Sequence, residues 1–214
     1  MDLFEALGNG DLETLRAMIG AEPKAANVRN AAGASLLAFA AYMGNSEAIA
    51  AIRPALPAID AHEAIIIGDN ARLRALLGAG FNANGLSSDG FTPLGLAAFF
   101  RNTEAFELLL PLTRDVNARA ENPQRVAAIH AATAVRDAAA VEKLLRAGAD
   151  PDLEQADGFR PLHAAAQHGD AVITGLLLLF GADPRLGNAK GVNAIEQARA
   201  AGHEWLAMRL ARAG

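Results

Sequence analysis

Asp157-Gly158-Phe159-Arg160-Pro161-Leu162-His163-Ala164-Ala165-Ala166-Gln167-His168-Gly169-Asp170, followed by an apolar run from Ile173 to Phe180 and then by Gly181-Ala182-Asp183-Pro184, decides the fold of this chain. The Asp157-Gly158 pair lies in a polar segment and favours a tight turn, because glycine takes positive φ without steric cost. Pro161 suits the first turn of a helix, where the missing N–H is not needed. Ala165-Ala166 keeps one face of that helix thin. Asp170 stands where a second helix begins, and its carboxylate caps the free N–H groups there and complements the helix dipole. Gly181, eleven residues on, ends that helix in a left-handed conformation. The stretch therefore reads as a turn and two short antiparallel helices.

The same unit recurs along the whole chain. Its copies align on the residue before the second-helix cap: Gly10-Asp11, Gly44-Asn45, Gly68-Asp69, Arg101-Asn102, Arg136-Asp137, Gly169-Asp170 and Gly202-His203, at intervals of 34, 24, 33, 35, 33 and 33. A period near 33 means a stacked array in which no unit buries its apolar face without its neighbours. Asp89-Gly90-Phe91-Thr92-Pro93-Leu94-Gly95-Leu96-Ala97-Ala98 opens another copy in nearly full form. Leucine pairs at the seventh and eighth positions after the caps, Leu76-Leu77, Leu109-Leu110, Leu144-Leu145 and Leu177-Leu178, are the expected core between repeats.

This pattern resembles the ankyrin repeat, with its period of 33 residues and its T-P-L-H-x-A signature. The resemblance covers the whole chain. It implies an all-α solenoid of helix-turn-helix repeats joined by short β-hairpins or turns, in one domain over residues 1–214. The approximate repeats are 1–29, 30–57, 58–85, 86–120, 121–153, 154–186 and 187–214.

Departures from the pattern carry expectations of their own. Histidine takes the signature position as His62, His130 and His163, with Phe4, Ala38, Gly95 and Glu196 in the other copies. The interval of 24 leaves no room for a full hairpin, and Pro54 and Pro57 interrupt Arg53 to Asp60, so a kink or tightened loop is expected there. Arg119 to Arg125 has two extra residues and no Asp-Gly, which predicts an irregular hairpin. Asp2 is the expected cap of the first helix, and the last helix spans Glu204 to Arg212.

Composition narrows the function. The chain has 214 residues, net charge −5 and interspersed charges, so it lacks the basic footprint of a nucleic-acid binder. It has no cysteine, hence no disulfide and no thiolate metal site. Met1-Asp2-Leu3-Phe4-Glu5 lacks a secretory pattern, and no stretch approaches the roughly 20 apolar residues of a membrane span. A cytoplasmic, monomeric protein without membrane attachment is expected.

Catalysis has no visible carrier. His163 and His168 are five apart and do not share a helical face, and no nucleophile elbow, zincin or phosphate-loop motif is present. No catalytic, metal or cofactor residue is assigned. In ankyrin-like repeats the signature histidine bonds backbone groups between repeats, and the resemblance implies that role for His130 and His163. The resemblance also implies that the two residues after the alanine pair face the concave groove, where targets are read. Here they are Tyr42-Met43, Ile66-Ile67, Phe99-Phe100, Ala134-Val135 and Gln167-His168. Three consecutive repeats thus offer an apolar stripe where a merely solvated surface would be polar, and such patches tend to be interaction sites. Phe91 and Phe159, after the turn glycines, extend it.

The expected function is therefore a non-enzymatic module that binds another protein through Tyr42, Met43, Ile66, Ile67, Phe91, Phe99, Phe100, Val135, Phe159, Gln167 and His168. Three alternatives stand beside it: packing of these side chains against one another where the short connection tilts repeats two and three, a homodimer that buries the same stripe, and an enzyme or ligand-binding protein using His130, His163 and His168.

Overall fold

A computed structural model describes residues 1–213. Among them are fourteen α-helices and no strand. They fall into seven antiparallel pairs: α1 (Leu3–Gly8) with α2 (Leu12–Ala21), α3 (Leu36–Tyr42) with α4 (Ser46–Ile52), α5 (Ala61–Ile67) with α6 (Asn70–Gly78), α7 (Pro93–Phe99) with α8 (Thr103–Leu109), α9 (Ala128–Ala134) with α10 (Ala138–Arg146), α11 (Pro161–Gln167) with α12 (Ala171–Leu179), and α13 (Ala194–Ala200) with α14 (Glu204–Ala213). Backbone contacts gather the pairs into two compact units. The first comprises residues 1–82 with 87–90, and the second residues 83–86 with those from 91 onward.

Every helix here is shorter than the ~12–15 residues at which isolated helices become even marginally stable in water, so stacking must hold them. Within the first unit α3 packs between α1 and α5, and within the second α9 packs between α7 and α11, which in turn meets α13. Alanine suits this close stacking: Ala40, Ala64, Ala97, Ala132, Ala165 and Ala198, one in each of α3, α5, α7, α9, α11 and α13, are all buried.

One hydrogen bond closes every inner helix. The N–H of the residue after the anchor donates to the carbonyl five back, as in Asp11 to Ala6, Asn102 to Ala97 and Asp170 to Ala165, all at 2.9 Å, which requires a left-handed anchor residue. Gly10, Gly44, Gly68, Gly169 and Gly202 supply it with φ between 63° and 80°; Arg101 (φ 52°) and Arg136 (φ 58°) adopt the same conformation despite a β-carbon. The expected caps then open the outer helices: Asp69, Asp137 and Asp170 accept from Arg72, Ala140 and Ile173 at 3.0 Å, as do Asp11, Asn45 and Asn102 in their repeats. Asp2 caps α1 in a reciprocal capping box with Glu5.

Outer helices end in two ways. Gly80, Gly148 and Gly181 are left-handed, as the spacing predicts. The repeats that lack this glycine end instead in short 3₁₀ turns built on proline, at Pro23–Ala26, Arg53–Ala55 and Leu110–Leu112. The turn at Arg53–Ala55 leads through Leu56–Ile59 into Asp60, the cap of α5, and this is how the interval of 24 is accommodated.

Of three departures from the repeat pattern, two sequence expectations are corrected and one holds. The leucine pairs are not uniformly core: Leu109, Leu144, Leu145 and Leu177 are buried, whereas Leu76, Leu77, Leu110 and Leu178 are half-buried, and the fourth position after the cap (Leu15, Leu73, Phe106, Val141) carries the interior as fully. The connection of residues 119–127 carries the two extra residues expected: its Ala120 N–H reaches Val126, six residues on, at 2.9 Å, where Asn30, Gln155 and Asn188 reach four, and an antiparallel bridge between Arg119 and Ala127 closes it. Arg125 makes the turn at φ 51°, the conformation for which glycine is usually used. Third, the signature position in α5 belongs to Glu63 rather than His62, because α1 and α5 begin one residue closer to their anchor glycines than the other inner helices do. Counting back from Gly68 therefore lands one residue early, and likewise Glu5, not Phe4, takes that place in α1.

Candidate functional site

At the N-terminal ends of α1, α5, α9, α11 and α13 the side chain of the third helical residue accepts from the N–H of the cap residue, and that side chain differs from repeat to repeat. In α5 the Glu63 carboxylate accepts from the Asp60 N–H at 3.0 Å, and in α13 Glu196 accepts from Asn193 at 2.9 Å. In α9 and α11 an imidazole does it: Nδ1 of His130 accepts from the Ala127 N–H at 3.1 Å, and Nδ1 of His163 from the Arg160 N–H at 3.0 Å. Their tautomer is thereby set, and each Nε2–H donates to a carbonyl of the following loop, Leu153 at 2.8 Å and Val192 at 3.0 Å. Burial lowers the His130 pKa to about 4, and burial lowers that of His163 as well. Both rings are neutral near pH 7, with both nitrogens engaged in holding one repeat to the next.

The C-terminal ends are different. There the chain reaches the left-handed anchor, and the two residues before it are exposed to the extent that neighbouring repeats leave them uncovered. Phe99 is 45% exposed and meets the half-buried Phe100 edge-on, with ring centroids 5.3 Å apart. One repeat along in the same unit Ala134 is exposed and Val135 half-buried, and one further along Gln167 and His168 are both exposed. In the first unit Met43 is 45% exposed and Ile67 half-buried. Tyr42 is half-buried, and its hydroxyl donates to the Asp89 carboxylate at 2.8 Å; burial and that carboxylate raise its pKa. Its ring is thus fixed by a hydrogen bond to the Asp-Gly turn.

Two of the residues assigned to the stripe have other surroundings. Ile66 is only 8% exposed and belongs to the core, so it offers no area to a partner. Phe159 is half-buried against the His163 ring at 5.4 Å between centroids, where it shields the imidazole that joins repeats. Phe91 is half-buried too. What remains open is Met43 and Ile67 in the first unit, and Phe99, Phe100, Val135, Gln167 and His168 in the second.

Sequence reasoning missed two features. Asn84 and Asn117, 33 apart, are amide staples between loops of the second unit: Asn84 accepts from Arg114 N–H at 2.8 Å and donates to the Leu112 carbonyl, and Asn117 accepts from Asp150 N–H at 2.8 Å and donates to the Gly148 carbonyl. Their 33-residue spacing was the available signal. The other is the outer face of α12, where Val172 (63%) and Leu179 (78%) are exposed one above the other, seven residues apart. Within the apolar run from Ile173 to Phe180, and at Val172 just before it, only the packed neighbours show which side is left out.

Among the described residues no helix is long and apolar enough to cross a membrane. No curated protein matches the sequence significantly. Two family models do match, one described as ankyrin repeats (3 copies) over residues 128–214 and one as ankyrin repeats (many copies) over residues 61–110, together more than half of the chain. Ankyrin repeats are in general protein–protein interaction modules. With seven helix pairs, left-handed inner-helix closures and histidines bonded from repeat to repeat, the chain belongs to the ankyrin repeat family.

Proposed function

We propose that this chain is a non-enzymatic adaptor that binds another protein at the C-terminal ends of its inner helices, with Phe99 and Phe100 as the principal anchors and Val135, Gln167 and His168 beside them. Met43 and Ile67 give the first unit a surface of the same kind. The observation that carries the reading is Phe99: in a position where stacking requires nothing large, an aromatic ring stands half in water, supported edge-on by a second ring. A phenylalanine carries about 150–250 Å², so covering the exposed half of one ring contributes roughly 2 kcal/mol gross at about 25 cal/mol per Å². Met43 adds a flexible, polarisable contact of the type used at adaptable surfaces.

The test is a photo-crosslink in native extract, with p-benzoylphenylalanine placed at Phe99 and, as control, at Arg146 on the outer helix α10. An adduct with a different polypeptide from position 99, absent from position 146 and from cells not irradiated, supports the reading. Adducts composed only of this chain would replace it with self-association. In parallel, Phe99→Ser removes the anchor while lowering stability by no more than about 1 kcal/mol, since half of the ring is already in solvent; a larger loss in urea unfolding would return Phe99 to the core.

A further inference from the structure

We infer that the partner segment bound by the second unit is acidic: a stretch of polypeptide with one aromatic or large aliphatic side chain and an Asp or Glu close beside it. This deepens the proposed function and rests on it.

Both apolar pairs in question run directly into an arginine, Phe99-Phe100-Arg101 and Ala134-Val135-Arg136, one repeat apart. Each arginine occupies the left-handed anchor that five other repeats give to glycine. The backbone does not need the side chain there, because Asp170 makes the same 2.9 Å closing bond after Gly169 as Asn102 and Asp137 make after the arginines. A strained backbone position kept for one particular side chain points to a use for that side chain.

The structure gives these guanidinium groups little to do internally. Arg101 reaches only the Val135 carbonyl, at 3.4 Å, and meets no carboxylate among the described residues. Arg136 touches Asp170 through Nε at 3.2 Å, yet its side chain is 58% exposed, and the Asp170 carboxylate already serves as the cap of α12. Residues 99–101, 134–136, 167–169 and 200–202 contain no carboxylate, whereas the chain as a whole carries −5. The rim beside the aromatic pair therefore carries two arginines, and the carboxylates that follow it, Asp137 and Asp170, each give an oxygen to capping α10 and α12. A carboxylate arriving next to an apolar anchor completes the rim, through the planar two-pronged pairing that arginine makes and lysine does not; a basic segment is repelled.

The experiment pans a randomised peptide library displayed on phage against the full chain, at low salt and near 1 M salt. Enriched peptides are expected to carry an aromatic or large aliphatic residue with Asp or Glu within about four positions, and to be lost at high salt where such pairs are screened. A synthetic peptide of the winning sequence should bind about tenfold more tightly than its Asn/Gln counterpart, a ratio that corresponds to ~1.4 kcal/mol. In the Arg101→Gly/Arg136→Gly variant that ratio should fall to about one with no drop in melting temperature, since glycine is the residue this backbone prefers. Winners that are apolar and neutral or basic, yet blocked by Phe99→Ser, overturn the inference and leave the binding face standing. Acidic winners whose preference survives the double glycine variant overturn it as well. If no peptide is enriched, or none depends on Phe99, both readings fall.

Discussion

The two ends of one inner helix in the second unit make a useful contrast. At its N-terminal end α9 presents His130, buried, neutral and bonded on both nitrogens, to its own cap and to the next loop. Five and six residues later the chain leaves the helix through the half-buried Val135 and the exposed Arg136, whose side chain is held by one surface ion pair. The first end repeats its chemistry in α11 with His163, whereas the second changes from repeat to repeat, through Phe99-Phe100-Arg101, Ala134-Val135-Arg136 and Gln167-His168-Gly169, on one unchanged closing hydrogen bond. Stacking constrains one end and leaves the other free, so recognition is to be sought among the residues that stacking does not specify.

The contrast breaks most sharply at His130. His130→Ala leaves the Ala127 N–H and the Leu153 carbonyl buried without their partner, and at about 1–3 kcal/mol for each unsatisfied group the expected loss is roughly 2–5 kcal/mol in urea unfolding. The folded fraction of the variant should still bind a Phe99-dependent peptide with wild-type affinity. Unfolding by His130→Ala of less than about 0.5 kcal/mol would place this imidazole among solvated side chains, contrary to its geometry.

Acid should act on the same end with a defined sign. An unfolded chain takes up a proton on His130 below pH ~6.5, while the folded protein holds it neutral down to about 4. The unfolded state therefore binds more protons between these values, so stability is full above pH 6.5 and declines as pH falls toward 4, by about 3 kcal/mol from this residue alone. His163, also lowered, adds a loss of the same sign. Urea unfolding at pH 7.5 and 4.5 measures it, and His130→Gln, which cannot titrate, should flatten the slope. A wild-type slope equal to that of the variant would mean that carboxylates alone govern the acid response.

How much of this was legible in the sequence follows from which interactions are local. The caps Asp69, Asp137 and Asp170 and the glycine closures act within four or five residues of themselves, so their pattern could be read directly. The assignment of His62 failed because α5, equal in length to α7, α9 and α11, runs directly into its anchor Gly68 with no intervening residue, which moves Glu63 into the capping place. Exposure was less accessible still. Ile66 and Phe99 occupy the same position relative to their anchors, yet one is core and the other half in water, and Val172 and Leu179 are exposed on the same helix that buries Ile173 and Leu177. Burial belongs to the neighbours of a residue as much as to the residue, and one sequence does not show how neighbouring repeats lean.

The smallest effect sharpens the comparison most. Arg125 is a third arginine in the left-handed region (φ 51°), but it sits in the hairpin of residues 119–127, its side chain is exposed, and only its backbone is engaged, through the Asn122 carbonyl and side chain. A β-carbon in that conformation costs about 1–2 kcal/mol, and replacing it by glycine returns about 0.4–1 kcal/mol of that through the freer unfolded chain. Arg125→Gly should thus raise stability by up to about 1 kcal/mol, as should each of Arg101→Gly and Arg136→Gly once their weak surface contacts are discounted. Binding separates them: Arg125→Gly removes the same charge and the same strain without touching the preference for an acidic peptide. Should it weaken that preference as much as the other two do, the selectivity would come from overall charge, and the two anchor arginines would lose their special place beside Phe99.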